Sequence, residues 1–431
     1  MARKKRRRLK KSVRRGCAVA LAIPLFICLF HLLKAIGNLG SASDGEPEPE
    51  LVTAADSARL ADMGERLARL LNNPQRIDSS TISVEVCDIT TGRTVYSRNA
   101  GRLVPPASCM KLLTAVSAMQ FLGIGHNYTS RVLTTGEQKG PVLCGDLIFR
   151  LDDDPLLLSL EPLVTAVSQR GIRRIEGNVV LELARDDTLR AHSTAAPWDI
   201  PYHKLPILLK GRGRIEHDLR YLLQAKGVSL AQGRILPQHS GKGLAEVEIC
   251  RHETPLVDVI APMLIHSSNI KADALFDHIA RVGNRWSLVD LTASQWLKTT
   301  ANAVGGNSEG FIINDGSGLS PDNRLTAHFL VRLLCYAWDN DDMHRVLLEQ
   351  ALATPGHPTR RGSLLWRMTA PDYRDRIFVK TGTLTTCALS SLAGYVRGRD
   401  DHWYAFAIVN ENTPVAEGRI LQDRLCHTLL Q

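Results

Sequence analysis

The chain has 431 residues, 44% of them apolar and 23% charged, a length and composition that fit two or three globular units and exclude a low-complexity or disordered protein. Its net charge of +9 is concentrated at one end: Arg3, Lys4, Lys5, Arg6, Arg7, Arg8, Lys10, Lys11, Arg14 and Arg15 are 10 of the 53 basic residues, leaving 43 against 44 acidic ones. The remainder is close to neutral, and its composition offers no basic face for a nucleic acid.

After the basic tail, residues 1–15, an apolar run extends from Cys17 to Phe30 and past His31 to Leu33. A basic flank before an apolar run is a membrane-targeting signal whose positive side stays in the cytoplasm. Residues 16–36 are therefore expected to anchor the chain in the membrane, with the rest exported. Ser41-Ala42-Ser43 offers small residues for cleavage, but the long flank and the distance to that site favour an uncleaved anchor. Residues 37–52, with Glu46-Pro47-Glu48-Pro49-Glu50, read as an extended polar linker.

Leu60, Met63, Leu67, Leu70 and Leu71 recur at helical spacing up to Asn72-Asn73-Pro74, which predicts an amphipathic helix. Ile82 to Cys87 alternates, Thr91-Gly92 turns and Arg93 to Ser97 returns, a β-hairpin. Pro105-Pro106 then lead into a helix with Ser108 in its first turn and Leu112, Val116 and Met119 as its buried face. Residues 141–255 differ in texture. Strands at Gly145–Arg150 and Gly177–Glu182 flank a helical pattern near Leu160–Ser168, and a basic stretch from Pro197-Trp198-Asp199 to Lys210-Gly211-Arg212-Gly213-Arg214 reads as a solvated loop. This region is read as an inserted subdomain dividing a main domain into 53–140 and 256–431. From Pro255 the chain is helical, with Ser267-Ser268-Asn269 inside a run from Leu256 to Ile279. Strands follow at Arg376–Thr383, Ser390–Val396 and Trp403–Val409. Thr413 is expected to cap a last helix carrying Ile420, Leu421, Leu425 and Leu429.

Three motifs carry the chemistry. Ser108 and Lys111 lie one helical turn apart, so an amine stands over a hydroxyl. A serine is a weak nucleophile unless a base takes its proton, and a lysine serves only if its pKa is pulled down. Burial and a second ammonium both do that, and Lys380, in Lys380-Thr381-Gly382-Thr383, is the candidate second cation. Ser267 and Asn269 can relay the proton and hold a substrate amide. Thr381 and Thr383 can grip a carboxylate, and the N–H groups of Ser108 and Thr383 can form an oxyanion hole. Taken alone, S-x-x-K is weak, and Ser268 to Lys271 repeats it. The order S-x-x-K, S-x-N, K-T-G is what discriminates.

Pro106-Ala107-Ser108 with Lys111, Gly145-Asp146-Leu147, Asp154-Pro155, Ser267-Ser268-Asn269, Asp315-Gly316-Ser317-Gly318-Leu319-Ser320 with Arg324-Leu325-Thr326, Gly362-Ser363-Leu364, and Lys380 to Leu384 followed by Leu392-Ala393-Gly394-Tyr395 together resemble the D-alanyl-D-alanine carboxypeptidase/endopeptidase family of low-molecular-mass penicillin-binding proteins, peptidase family S13. The resemblance implies an α/β fold: a penicillin-binding protein/serine β-lactamase-like transpeptidase domain, an antiparallel sheet flanked by helices, interrupted by the insertion. It also implies a bacterial periplasmic enzyme without cofactor, acting on peptidoglycan stem peptides and binding β-lactam antibiotics. By the same resemblance Ser108 forms the acyl-enzyme, Lys111 is the general base, Ser267 and Asn269 shuttle protons and position substrate, and Lys380 binds the carboxylate. Asp315 to Ser320 would be a supporting turn. Relatives usually carry a glycine-rich run where this chain has Leu151-Asp152-Asp153-Asp154-Pro155, and the insertion is short.

Nine cysteines form no C-x-x-C pair, and no H-E-x-x-H is present, so no metal is expected. Cys109 is read as a packing residue. A β-lactamase would need a deacylating carboxylate that the sequence does not identify. A wall-binding scaffold with a relict site is the reading from outside enzymology. A homodimer is compatible with the sequence but not indicated by it.

Overall fold

A computed structural model describes residues 53–72, 74, 76–185, 204–239, 245–305, 307–399 and 401–431. The tail, the expected anchor at 16–36, the linker and Pro197-Trp198-Asp199 lie outside the described residues. Among those described, no helix is long and apolar enough to cross a membrane.

In chain order the elements that build and position the site are α1 (Ala54–Asn72), β1 (Ile82–Asp88), β2 (Arg93–Arg98), α2 (Met110–Leu122), β3 (Asn127–Thr134), β4 (Leu147–Leu151), α3 (Glu161–Gln169), β5 (Val179–Leu183), α4 (Arg212–Ala225), β6 (Val247–Pro255), α5 (Leu256–Ile265), α6 (Asn269–Gly283), α7 (Ala293–Ala303), α8 (Ala327–Trp338), β7 (Ile377–Leu384), β8 (Leu389–Arg397), β9 (Trp403–Asn410) and α9 (Val415–Leu430).

The first and last strands share one five-stranded sheet in the order β7-β8-β9-β1-β2. Its pairs are antiparallel, with Ile82 opposite Asn410 and Lys380 opposite Ala393. Helices cover both faces, the arrangement a sheet with two apolar faces requires. On one side Met63, Leu67 and Leu71 of α1 and Leu421, Leu425 and Leu429 of α9 pack on Val84, Leu392, Phe406 and Ile408. On the other, α2, α5, α6 and α8 pack on Ala393, Tyr395, Ala405 and Ala407. This explains why β1, whose alternation suggests a half-exposed strand, is buried along its whole length. Glu85 points into the helical layer, where Nδ1 of His328 lies 3.0 Å from each of its oxygens.

Helix α2 runs through the centre of the larger core. Every residue from Met110 to Met119 is buried, so Leu112, Val116 and Met119 belong to a helix with no exposed face rather than to a stripe.

A second sheet has the order Ile235–Leu236, β5, β4, β3, β6 and its own core of Phe149, Leu163, Val167, Leu219 and Leu223. Its strands β3 and β6 pair antiparallel, ending with Asn127 opposite Pro255. The chain thus leaves for this sheet and returns from it at neighbouring points.

Four local expectations are corrected. Lys210 to Arg214 is not a solvated loop: Gly211, at φ +73°, opens α4 at Arg212, and the ammonium of Lys210 donates to the Leu158 carbonyl at 2.9 Å. The run from Leu256 to Ile279 is broken after Ile265, and α6 restarts at Asn269 with Ser268 as its cap, accepting from the Lys271 N–H at 3.5 Å. Pro414, not Thr413, is the N-cap of α9, and the Thr413 hydroxyl donates instead to the Glu411 carbonyl at 2.9 Å. Ile420 is 47% exposed, a quarter-turn off the buried stripe.

Candidate active site

Ser108 lies in a single 3-10 turn, Ala107–Cys109, that feeds directly into α2. Ala107 holds φ +48°, a left-handed conformation that costs a non-glycine residue about 1–3 kcal/mol and persists only where its surroundings enforce it. Gly318 is part of that enforcement: a Cβ there would stand 1.7 Å from the Ala107 carbonyl oxygen. Ser108 is not a helix cap. The cap position is Cys109 and no side chain caps α2, whereas the second S-x-x-K serine, Ser268, does cap its helix.

Lys111 is fully buried and its amine is surrounded by three oxygens. Nζ lies 2.9 Å from Ser108 Oγ, 2.8 Å from Asn269 Oδ1 and 2.5 Å from the Ser317 carbonyl. This count matters chemically. A neutral amine has two N–H donors and one lone pair, so with Asn269 and Ser317 taking the two protons, the lone pair is directed at the Ser108 hydroxyl. Burial first, and then the Lys380 ammonium, bring the Lys111 amine down to about 7, with Asp273 and Asp315 opposing.

Lys380 reaches the same centre from β7. Its Nζ donates to Ser267 Oγ at 2.9 Å and to the Thr381 carbonyl at 2.7 Å. Burial lowers it to about 8, the Cys109 thiol opposing. Ser267 occupies the break between α5 and α6 at φ +57°, so the motif that reads as mid-helix is a kink presenting Ser267 to Lys380 and Asn269 to Lys111. Cys109 is a buried packing residue, its thiol 3.3 Å from Ser391 Oγ.

The Asp315 turn fixes the third partner of Lys111. One carboxylate, itself 1% exposed, accepts from the N–H groups of Ser317 at 3.0 Å, Gly318 at 2.5 Å, Leu319 at 3.2 Å and Ser320 at 2.8 Å. Turning so many N–H groups inward leaves the Ser317 carbonyl facing Lys111. Sequence reasoning identifies the turn but not this carbonyl.

Along β7, Gly382 lies against the nucleophile: an added Cβ would be 2.1 Å from Ser391 Oγ and 3.0 Å from the Ser108 nitrogen. The flanking threonines are both engaged. Thr381 donates to Ser363 Oγ at 2.7 Å, and Thr383 Oγ1 accepts from Arg419 at 3.0 Å. Ser363 appears in the sequence only as part of Gly362-Ser363-Leu364, and Arg419 belongs to no motif. The eight residues singled out from sequence (Ser108, Lys111, Ser267, Asn269, Lys380, Thr381, Gly382 and Thr383) are thus brought to one place.

Away from this centre, Asp152, Asp153 and His278 lie close enough to suggest a cation site. The positive charge there is a guanidinium: Arg281 donates to Asp152 at 2.9 Å and to Asp153 at 3.0 Å, and His278 Nδ1 lies 2.7 Å from Asp153. These residues tie the aspartate run after β4 to α6, the helix that begins with Asn269.

The model of the D-Ala-D-Ala carboxypeptidase 3 (S13) family matches residues 63–203 and 211–429. A D-alanyl-D-alanine carboxypeptidase of an Actinomadura species is 23% identical, the match covering 88% of this chain and 86% of the relative. Carboxypeptidase DacB of Mycolicibacterium smegmatis is 26% identical over 84% of this chain and 82% of its own. Among solved structures, penicillin binding protein 4 of Haemophilus influenzae superposes with a TM-score of 0.65 at 18% identity, covering 84% of this chain and 99% of that one, and it has also been solved in complex with a β-lactam. On the extent of the family match and the order and convergence of its three motifs, the chain belongs to the D-Ala-D-Ala carboxypeptidase 3 (S13) family.

Proposed function

We propose that this chain is a serine-type D-Ala-D-Ala carboxypeptidase/endopeptidase that acts on peptidoglycan stem peptides through an acyl-enzyme on Ser108 and is inhibited covalently by β-lactams. The observation that carries this reading is the buried Lys111 amine, at about 7, placed 2.9 Å from Ser108 Oγ with its remaining protons held by Asn269 and Ser317.

In this mechanism neutral Lys111 takes the Ser108 proton as Oγ attacks the D-Ala carbonyl carbon. The developing oxyanion is met by the backbone N–H groups of Ser108 and Thr383, and removal of one such donor typically costs a factor of about 100–1000 in rate. Collapse expels the terminal D-residue as an amine; Ser267, the hydroxyl bonded to Lys380, gives that amine its proton and regains one from Lys111, which is left neutral. Water then attacks the ester, neutral Lys111 accepting its proton and returning it to Ser108 Oγ as the acid product leaves. Asn269 orients both Lys111 and the substrate amide. Lys380 supplies positive charge for the substrate carboxylate, with Thr383 as a hydroxyl partner and Thr381 acting through Ser363, to which it donates. In this reading the folded part works on the outer side of the bacterial cytoplasmic membrane, where peptidoglycan is found, and residues 16–36 are its tether; the basic flank before that apolar run supports this.

The lactamase alternative needs a carboxylate able to activate water. Asp315 is engaged by four backbone N–H groups and is not such a base. Release of D-alanine from an N-acylated D-Ala-D-Ala peptide tests the proposal: the purified full chain should release it and Ser108→Ala should not. Equal release by both proteins would refute it.

A further inference from the structure

Helix α9 approaches the sheet at Gly418, where a Cβ would stand 2.2 Å from Ser390 Oγ. Ser390 is the register partner of Thr383 across β7 and β8. The next residue on the helix, Arg419, is thereby carried over the end of β7 and donates to Thr383 Oγ1 at 3.0 Å. The acidic residues near it on α9 face other cations: Glu417 pairs with Arg76 at 3.4 Å and Asp423 with Arg367 at 2.6 Å. Among the described residues, no carboxylate forms an ion pair with Arg419, which is exposed.

The hydrogen-bond directions favour an acceptor ligand. Thr383 accepts from Arg419, which leaves its own hydroxyl proton to donate outward. Thr381 donates to Ser363, which leaves the Ser363 proton in the same position. Two hydroxyl donors and a guanidinium with unused N–H groups therefore flank the strand whose Gly382 packs against the Ser108 nitrogen. A carboxylate is the group that accepts from all of them, and charge-assisted bonds of this kind are the strong ones.

We infer that Arg419, acting with Thr383, is a specificity-determining residue that selects substrates whose leaving amine carries a free α-carboxylate and disfavours those in which that carboxylate is amidated. This rests on the acyl-transfer reading of the Ser108 site. It differs from the charge that Lys380 supplies, because Lys380 is buried and bonded to Ser267, whereas Arg419 is exposed and presented from a different helix, at Thr383.

The test compares an N-acylated D-Ala-D-Ala peptide with the same peptide ending in a carboxamide, using the full-length wild type, Arg419→Gln and Arg419→Lys. For Arg419→Gln, kcat/KM on the acid should fall about ten- to hundredfold, mainly through KM. On the carboxamide it should stay within about twofold, and Arg419→Lys should recover part of the loss. Equal losses on both peptides, or no loss on the acid, would overturn the inference while leaving the Ser108 chemistry intact. A wild type that turns over neither peptide and takes no penicillin label would overturn both together.

Discussion

The Lys111 amine and the Ser108 hydroxyl are 2.9 Å apart, yet Lys111 is attached to a helix with no exposed face. A lysine can occupy such a position only where oxygens meet its protons and its charge is readily given up. The same burial that makes the lysine costly therefore makes it a base near neutral pH.

The first expectation concerns pH. Lys111 must be neutral to accept a proton, and Lys380 must stay charged to attract a carboxylate. With Lys111 at about 7 and Lys380 at about 8, kcat/KM should rise through the lower value and fall through the upper, the two apparent constants belonging to the interacting pair. Steady-state rates from pH 5.5 to about 9.5 would show the bell. Lys380→Met should weaken carboxylate-bearing substrates most and move the rising limb to higher pH, because removing the second ammonium lets Lys111 hold its proton longer.

Asn269 holds one of the two protons of neutral Lys111. Asn269→Ala should leave the fold intact and lower the acylation rate about 100-fold or more, as loss of an orienting group usually does. Asn269→Asp places a negative charge 2.8 Å from Nζ and should push the rising limb of the pH profile upward. Single-turnover acylation at several pH values separates the two variants.

Gly318, at φ +78°, has the Ala107 carbonyl where a side chain would be. Gly318→Ala should cost about 2 kcal/mol or more in stability and displace the turn carrying Ser108. Gly382→Ala, crowding Ser391 and the Ser108 nitrogen, should abolish acylation with a smaller effect on stability. Thermal unfolding set against penicillin labelling distinguishes these outcomes.

The Asp153–Arg281–His278 cluster should be structural. Burial opposes ionisation of Asp153, but His278 and Arg281 more than compensate and hold its carboxyl well below the usual range. A depressed carboxylate contributes stability above its ordinary pKa and loses that contribution as pH falls toward the depressed value. Asp153→Asn leaves Arg281 less compensated and should cost about 3–5 kcal/mol, with the gap to wild type narrowing at acid pH. Denaturant titrations at pH 7 and at about pH 2, below the ordinary carboxylate range, measure it.

The chemistry was legible in the sequence where it depends on short spacing. Ser108 and Lys111 face each other because residues one turn apart must, and the strand of Lys380 to Thr383 is marked by its apolar flanks. Ser267 was legible as a residue but not as a kink, since apolar periodicity continues on both sides of the break and nothing local forecasts φ +57°. The helix starting at Arg212 was hidden because Gly211 and Gly213 mimic a loop. The Ser317 carbonyl and Arg419 were invisible for a different reason: backbone groups carry no sequence signature, and Arg419 meets Thr383 across 36 residues of chain. The aspartates after β4 read as a departure from the family pattern, and their partners His278 and Arg281 are supplied by a helix more than a hundred residues later.

The central claim, that Ser108 is an acylating nucleophile, is tested most directly by intact mass of the full chain after incubation with a fluorescent penicillin, with the adduct located by peptide mapping. The mechanism predicts one adduct on Ser108 that is absent from Ser108→Ala and strongly slowed in Lys111→Met. A folded protein that acquires no adduct, or acquires it equally when Ser108 is alanine, would contradict it.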